Sequence, residues 1–157
     1  MNLFEFYREA VTDWERSQDA SWGLSAEQDL HLRSTVLPKF QEDCFDPEVL
    51  DYSHPELQLA YALHYAPKHA IVWREYMRDQ QKSGLHHVSR INSIGSGPGS
   101  ELIGLFEGAE RLPNRIDVVC LDREAGWIGL LDLVLTRYMK ERGIQLNFPE
   151  ATRTGET

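Results

Sequence analysis

The sequence has no long apolar segment and no recognisable amino-terminal targeting pattern. None of its apolar runs approaches the ~18 residues that a membrane-spanning helix requires. The first residues, MNLFEFYREAVTDWER, mix charges into an apolar pattern, which is typical neither of a secretory signal nor of a basic transit peptide. We therefore expect a cytoplasmic protein with no membrane partner.

Cysteine is scarce, and metal-ligand spacings are missing. The two cysteines, Cys44 and Cys120, form no CxxC pair, and Cys120 lies in the apolar run IDVVCLD, where we expect a small buried side chain. His64 and His69 are five residues apart, a spacing that does not place them on one helix face. The sequence therefore predicts no metal site.

Basic charge is also sparse. The net charge is -9, and the longest basic cluster, RYMKER at residues 137–142, contains Glu141. A protein that reads nucleic acid through its phosphates usually presents a basic stripe. This composition makes nucleic-acid binding an unlikely function and favours a small or uncharged substrate.

The 157 residues suffice for one compact domain, and its amino-terminal half has helical periodicity. An apolar stripe at spacings of three and four starts near Asn2 and predicts a first helix; its members are Leu3, Phe6, Tyr7, Ala10, Val11 and Trp14. Capping-box patterns at Ser25 and Ser53 predict two more helices, and Pro67 should kink or divide the second of them. A short helical turn should open at Asp46-Pro47.

The pattern changes at the Ser83-Gly84 junction. Strand-like runs at 87–94, 116–121 and 144–148 alternate with helical stretches at 100–112 and 125–142, which predicts an α/β fold with an incomplete parallel sheet of about three strands. The apolar run at 116–121 favours a strand that is covered on both faces. We divide the chain into a helical cap or lid region at 1–84, a βαβαβ unit at 85–148 and a polar tail at 149–157.

The stretch INSIGSGPGSELIGL carries the chemical signal. Gly95, Gly97 and Gly99 stand between the first predicted strand and the following helix, where side chains would obstruct a ligand that lies against the main chain. Asp122 ends the next strand, 23 residues after Gly99, and an acid at that point can accept hydrogen bonds from both hydroxyls of a ribose. Three readings stay open: a plain turn, a nicotinamide or other nucleotide, and S-adenosyl-L-methionine.

The string IGSGPGSE followed by VVCLD resembles the first two motifs of the class I S-adenosylmethionine-dependent methyltransferases. The resemblance covers about residues 85–148 and implies a Rossmann-like three-layer sandwich with S-adenosyl-L-methionine as cofactor. Where the family commonly has an acid two positions before the first glycine, this chain has Ser93. The cofactor-binding residues that the resemblance implies are Ser93, Gly95, Ser96, Gly97, Gly99, Glu101, Asp122 and Arg123.

The resemblance also implies methyl transfer to an acceptor that the sequence does not identify. It names no catalytic residue; a lid argument makes Tyr61, Tyr65 and His69 candidates for the general base. The family's sheet has seven strands, so we expect a truncated domain or fragment whose open sheet edge is covered by a second copy or by a partner protein. The alternative is a non-catalytic binding or regulatory protein on a degenerate methyltransferase scaffold, acting through a protein-protein interface.

Overall fold

The computed structural model describes residues 1–17, 55–80, 88–112 and 115–147, with the single positions 34 and 38. Within these ranges the protein is mixed α/β. The elements are, in chain order, α1 (Leu3–Ser17), α2 (Pro55–His64), α3 (Ala66–Asp79), β1 (Arg90–Ile94), α4 (Ser100–Gly108), β2 (Arg115–Leu121), α5 (Trp127–Arg142) and β3 (Gln145–Asn147). The predictions at Ser25, at Asp46-Pro47 and at Ser83-Gly84 lie outside the described residues.

The first helix follows the predicted stripe. Asn2 Oδ1 accepts hydrogen bonds from the amides of Phe4 and Glu5, which are among the groups left unpaired at a helix start. All six residues of the stripe are buried. The stripe faces α5, where the rings of Phe6 and Tyr138 meet edge to face with centroids 6.2 Å apart.

Pro67 divides the second helical stretch, as predicted. Helix α2 ends at His64, and Pro67 lies in the first turn of α3, where its missing N–H has no helical partner to lose. Helix α3 then lies unusually close to α4. A Cβ atom added at Gly104 would be 2.4 Å from the carbonyl oxygen of Ala70, and one added at Gly108 would be 2.4 Å from that of Arg74.

The sheet is parallel with strand order β1-β2-β3. Arg90 pairs with Asp117 and Ile94 with Leu121, so β1 and β2 end at the same level, and Arg115 pairs with Gln145 in β3. Two successive right-handed crossovers in one direction place α4 and α5 on the same face. This confirms the expected parallel sheet of three strands and leaves β1, among the described residues, paired on one side only.

The two faces of the sheet differ in burial. Ile116, Val118 and Cys120 of β2 are buried under the helices, whereas Val119 and Leu121 on the opposite face are only half-buried. The prediction of a strand covered on both faces was therefore wrong for β2. Among the described residues, β2 is thus buried on its helix-covered face and partly exposed on the other.

Two helix boundaries depend on local backbone geometry. Helix α4 ends at Gly108 and not at the predicted 112, because Ala109 is extended with φ -71° and ψ 130°. Helix α5 ends as predicted at Gly143, which adopts the left-handed conformation with φ 63°. None of the described helices combines the length and the apolar character that crossing a membrane requires.

Candidate functional site

The glycine-rich turn connects β1 to α4 through three left-handed residues. Gly95, Gly97 and Gly99 have φ values of 68°, 46° and 74°, a region that residues with a side chain rarely adopt. The Gly95 amide donates to the carbonyl oxygen of Leu121 over 2.7 Å, which holds the turn beside the end of β2. The glycines are thus required by the course of the backbone.

The three glycines of the turn differ in how much space surrounds them. A Cβ atom added at Gly95 or Gly97 would meet nothing within 4 Å, so the main chain at both positions borders open space. A Cβ atom added at Gly99 would be 2.8 Å from Leu131 Cδ1. From its place just before the helix, Gly99 is expected to let that helix begin close to the strand, but the structure shows that it allows α4 to start against α5.

Asp122 is joined to the turn. Its Oδ2 atom accepts a hydrogen bond from the Gly97 amide over 2.7 Å, and its Oδ1 atom accepts one from the Glu124 amide over 2.9 Å. A carboxylate offers about four acceptor positions, so about two remain. The half-buried carboxylate is therefore held in one orientation with acceptor capacity left over.

Glu101 supplies a second carboxylate from the first turn of α4. Ser93 donates a hydrogen bond to Glu101 Oε1, and the Ser93 side chain is buried. Burial raises the pKa of Glu101 above its ordinary value, and the charge of Asp122 adds to this, while the hydrogen bonds from Ser93, the backbone and Ser100 act in the opposite direction. The acid missing at position 93 is thus replaced in space by Glu101, which contacts Ser93.

A buried hydroxyl lies near this carboxylate. Tyr7 of α1 is fully buried, and within the described part of the chain its hydroxyl has no hydrogen-bond partner. Burial raises the pKa of Tyr7, and the charge of Glu101 raises it further. Unpaired buried polar groups are rare in native proteins, so the Tyr7 hydroxyl is an exception among the described residues.

A cleft of about 930 Å³ opens over the turn. Of the eight cofactor-binding residues that the resemblance implied, all except Gly99 line it, including Arg123, whose Nε atom forms an ion pair with Glu124 Oε1 at 3.1 Å. Ser96 is buried at the base of the cleft. The structure therefore brings together seven positions that the sequence distributes over residues 93–123.

The cleft wall contains aromatic residues, some of which the sequence pattern misassigned. Tyr61 and His69, the expected lid residues, line the cleft, and Tyr65 stacks on Tyr61 with ring centroids 5.9 Å apart. In the sequence, the helical spacing of Trp73 predicts a position in the core, but the side chain is 40% exposed and lines the cleft. Its spacing of four residues from His69 on one helix face was the signal that could have placed it there.

Comparisons with models of known protein families, with curated proteins and with solved structures gave no match. The site is therefore interpreted from its own residues: a glycine-rich turn, the carboxylates of Glu101, Asp122 and Glu124, and several aromatic side chains in one cleft.

Proposed function

We propose that this chain is a Rossmann-like S-adenosyl-L-methionine-binding domain that transfers a methyl group to an acceptor. The observation that carries the proposal is the Asp122 carboxylate, which the Gly97 amide holds at the end of two parallel strands. Ligands of open parallel sheets bind outside the carboxyl ends of the strands, at such turns.

The carboxylates beside the turn favour this cofactor over a dinucleotide. Glu101 and Asp122 bring two carboxylates to the glycine turn, and these would repel a pyrophosphate. S-adenosyl-L-methionine carries a sulfonium and an ammonium group, for which carboxylates are suitable partners. The open space at Gly95 and Gly97 is compatible with a ligand lying on the main chain.

Each residue has a role in this proposal. Asp122 would accept hydrogen bonds from the ribose hydroxyls, and Glu101 with Ser93 would face the ammonium end. Gly95 and Gly97 would leave room for a ligand beside the main chain, Ser96 would line the cleft, and Arg123 would border the adenine. When bound, the cofactor supplies an electrophilic methyl group, and the protein's tasks are to orient the reactants and exclude water.

Isothermal titration calorimetry with S-adenosylmethionine and its demethylated product tests the proposal. We expect binding in the micromolar range that is abolished in Asp122→Ala. Asp122→Asn keeps one acceptor and should bind about 10- to 100-fold more weakly, because a hydrogen bond to a charged group is worth about 1.5–3 kcal/mol. Asp132→Ala is the control, since Asp132 is exposed on α5 and lies outside the cleft lining.

Substitutions at two glycines distinguish the effect of backbone strain from obstruction of the binding site. Gly97 and Gly143 both have positive φ, and neither has an atom within 4 Å of an added Cβ. Gly97→Leu and Gly143→Leu should therefore cost similar stability, about 1–3 kcal/mol each, whereas only Gly97→Leu should abolish binding. No heat and no thermal shift of the wild-type protein with either compound would refute the cofactor assignment.

One observation favours the second candidate, a non-catalytic protein that acts through an interface. Ile94 lies on β1, the edge strand of the described sheet, and is 83% exposed. An edge strand that exposes an apolar side chain favours pairing with a second copy or a partner protein. Sedimentation that shows a dimer in the wild type and a monomer in Ile94→Lys, with no heat from either cofactor compound, would favour this candidate over the first.

A further inference from the structure

Four residues of the cleft wall have no part in the proposed cofactor contacts. They form what we call the aromatic wall: Tyr61 of α2, His69 and Trp73 of α3, and Trp127 at the start of α5. The Tyr61 ring lies edge to face with His69 and with Trp127, each at a centroid distance of 5.7 Å. Three of the four rings thus pack on one another, and Trp73 lines the same cleft.

Tyr61 and His69 form a hydrogen-bonded pair within the wall. Tyr61 Oη and His69 Nδ1 are 2.9 Å apart. When Nδ1 carries the ring proton and donates to Tyr61, Nε2 is left as an acceptor. Burial lowers the pKa of His69, and the nearby charge of Lys68 lowers it further, so both act in favour of the neutral imidazole. In that tautomer, the pair presents Nε2 of His69 to the cleft as a base.

The charge of the cleft selects its ligand. Its described lining carries three carboxylates, those of Glu101, Asp122 and Glu124, and the one guanidinium in that lining, on Arg123, is paired with Glu124. Carboxylates repel an anionic ligand and attract a cation. Aromatic faces bind organic ammonium groups, and Trp binds them best. The combination favours a compound with an apolar body and an amine.

We propose that the aromatic wall binds the methyl acceptor, that this acceptor is an amine, and that His69 accepts its proton. The inference rests on the proposed function. One proton passes from the ammonium to Nε2 of His69. The amine nitrogen then bonds to the methyl carbon as the methyl–sulfur bond breaks and its electron pair stays on sulfur. The product is a protonated, methylated amine, and the imidazolium returns its proton to water.

The binding test uses protein saturated with the demethylated cofactor product. It is titrated with phenethylamine, 2-phenylethanol and 3-phenylpropionate, which share an apolar body and differ in the polar group. We expect the amine to bind and to shift the His69 ring signal in NMR spectra, and the carboxylate not to bind. Trp73→Ala should weaken amine binding at least tenfold, whereas Phe4→Ala, which removes an exposed ring of α1, should not change it.

The result that would overturn the proposal is equal or tighter binding of the alcohol or the carboxylate, or no binding of the amine to cofactor-loaded protein. Failure of the proposed function looks different, because it shows as absence of heat in the first titration, with the cofactor product itself.

His69→Asn tests the proton transfer. The asparagine amide can still donate to Tyr61 but has no counterpart of Nε2. With S-adenosylmethionine and phenethylamine, the wild type should form N-methylphenethylamine, and the variant should be about 100-fold slower at pH 7. The difference should shrink toward pH 10, near which an alkylamine loses its own proton. An unchanged pH profile in His69→Asn, or no product from the bound amine, would overturn the assignment.

Discussion

Because α3 and α4 are in close contact, we expect a glycine-to-alanine substitution in α4 to lower the stability of the protein, whereas such a substitution in a helix usually raises it. Replacing a helical glycine by alanine normally stabilises a helix, by about 0.5–1 kcal/mol. Gly104 lies within α4, so Gly104→Ala should stabilise the protein if only this helix mattered. The added Cβ, however, would be 2.4 Å from Ala70 O and 2.6 Å from Trp73 Cβ.

The size of the effect follows from these distances. Ordinary contact begins near 3.4 Å, so α3 would have to move by about 1 Å, and the obstructing atom at Ala70 belongs to the backbone. Overpacking of this kind costs about 1–3 kcal/mol, and a backbone obstacle favours the upper end. After the gain in helix propensity, the net loss is about 2 kcal/mol, which lowers Tm by about 4–8 °C in a protein of this size.

Thermal melts followed by circular dichroism measure this loss. Gly129→Ala is the matched control, because its added Cβ would approach only the Trp14 side chain, with Nε1 at 3.2 Å; it should stay within about 1 kcal/mol of the wild type. Because Trp73 lies on the displaced helix, Gly104→Ala should also weaken binding of phenethylamine. A variant at position 104 that melts at or above the wild-type Tm would refute the packing of α3 on α4.

Three further predictions concern charge and burial. Because burial raises the pKa of Glu101, the ionised carboxylate lowers the stability of the folded protein above that pKa. Glu101→Gln should therefore raise Tm at pH 7.5 and give no such gain near pH 4. It should also weaken cofactor binding in calorimetry. Arg137 joins α5 to Glu9 and Asp13 of α1, so Arg137→Met should lower Tm by about 2–4 °C in 50 mM salt and by less in 1 M salt, and equal losses at both salt concentrations would contradict an ionic role. Burial raises the pKa of Cys120 to about 11, from 9.0, so peptide mass spectrometry should find its alkylation at pH 8 about 100-fold slower in folded than in unfolded protein, and equal rates would contradict its burial.

The sequence pattern predicted the local parts of the candidate site. The three glycines of the turn predict positive φ values, because other residues adopt this conformation only at a cost in free energy, and all three have it. The position of Asp122 after a strand follows from apolar patterning. The partner of its carboxylate does not, because the Gly97 amide is 25 residues away in the chain and meets Asp122 only when two strands pair.

Ser93 and Glu101 show the same limit. In the sequence, a serine at position 93 indicates that the site lacks a carboxylate, because the order of residues along the chain does not show which of them are close in space. The first turn of α4 returns toward the end of β1 and brings Glu101 into contact with Ser93. Trp73 shows a related limit: its spacing from His69 places both residues on one face of α3, but only the packing of the helices shows that this face borders the cleft.

What the sequence determined by itself is the amphipathic stripe of α1, the division of the helices at Pro67, the end of α5 at Gly143 and the βαβαβ order of the elements. Tertiary structure alone decided which sheet face is buried, that Gly99 and Gly104 serve helix packing, and that two carboxylates and an aromatic wall share one cleft. These features arise from contacts between segments distant in the chain, and local propensity carries no information about such contacts.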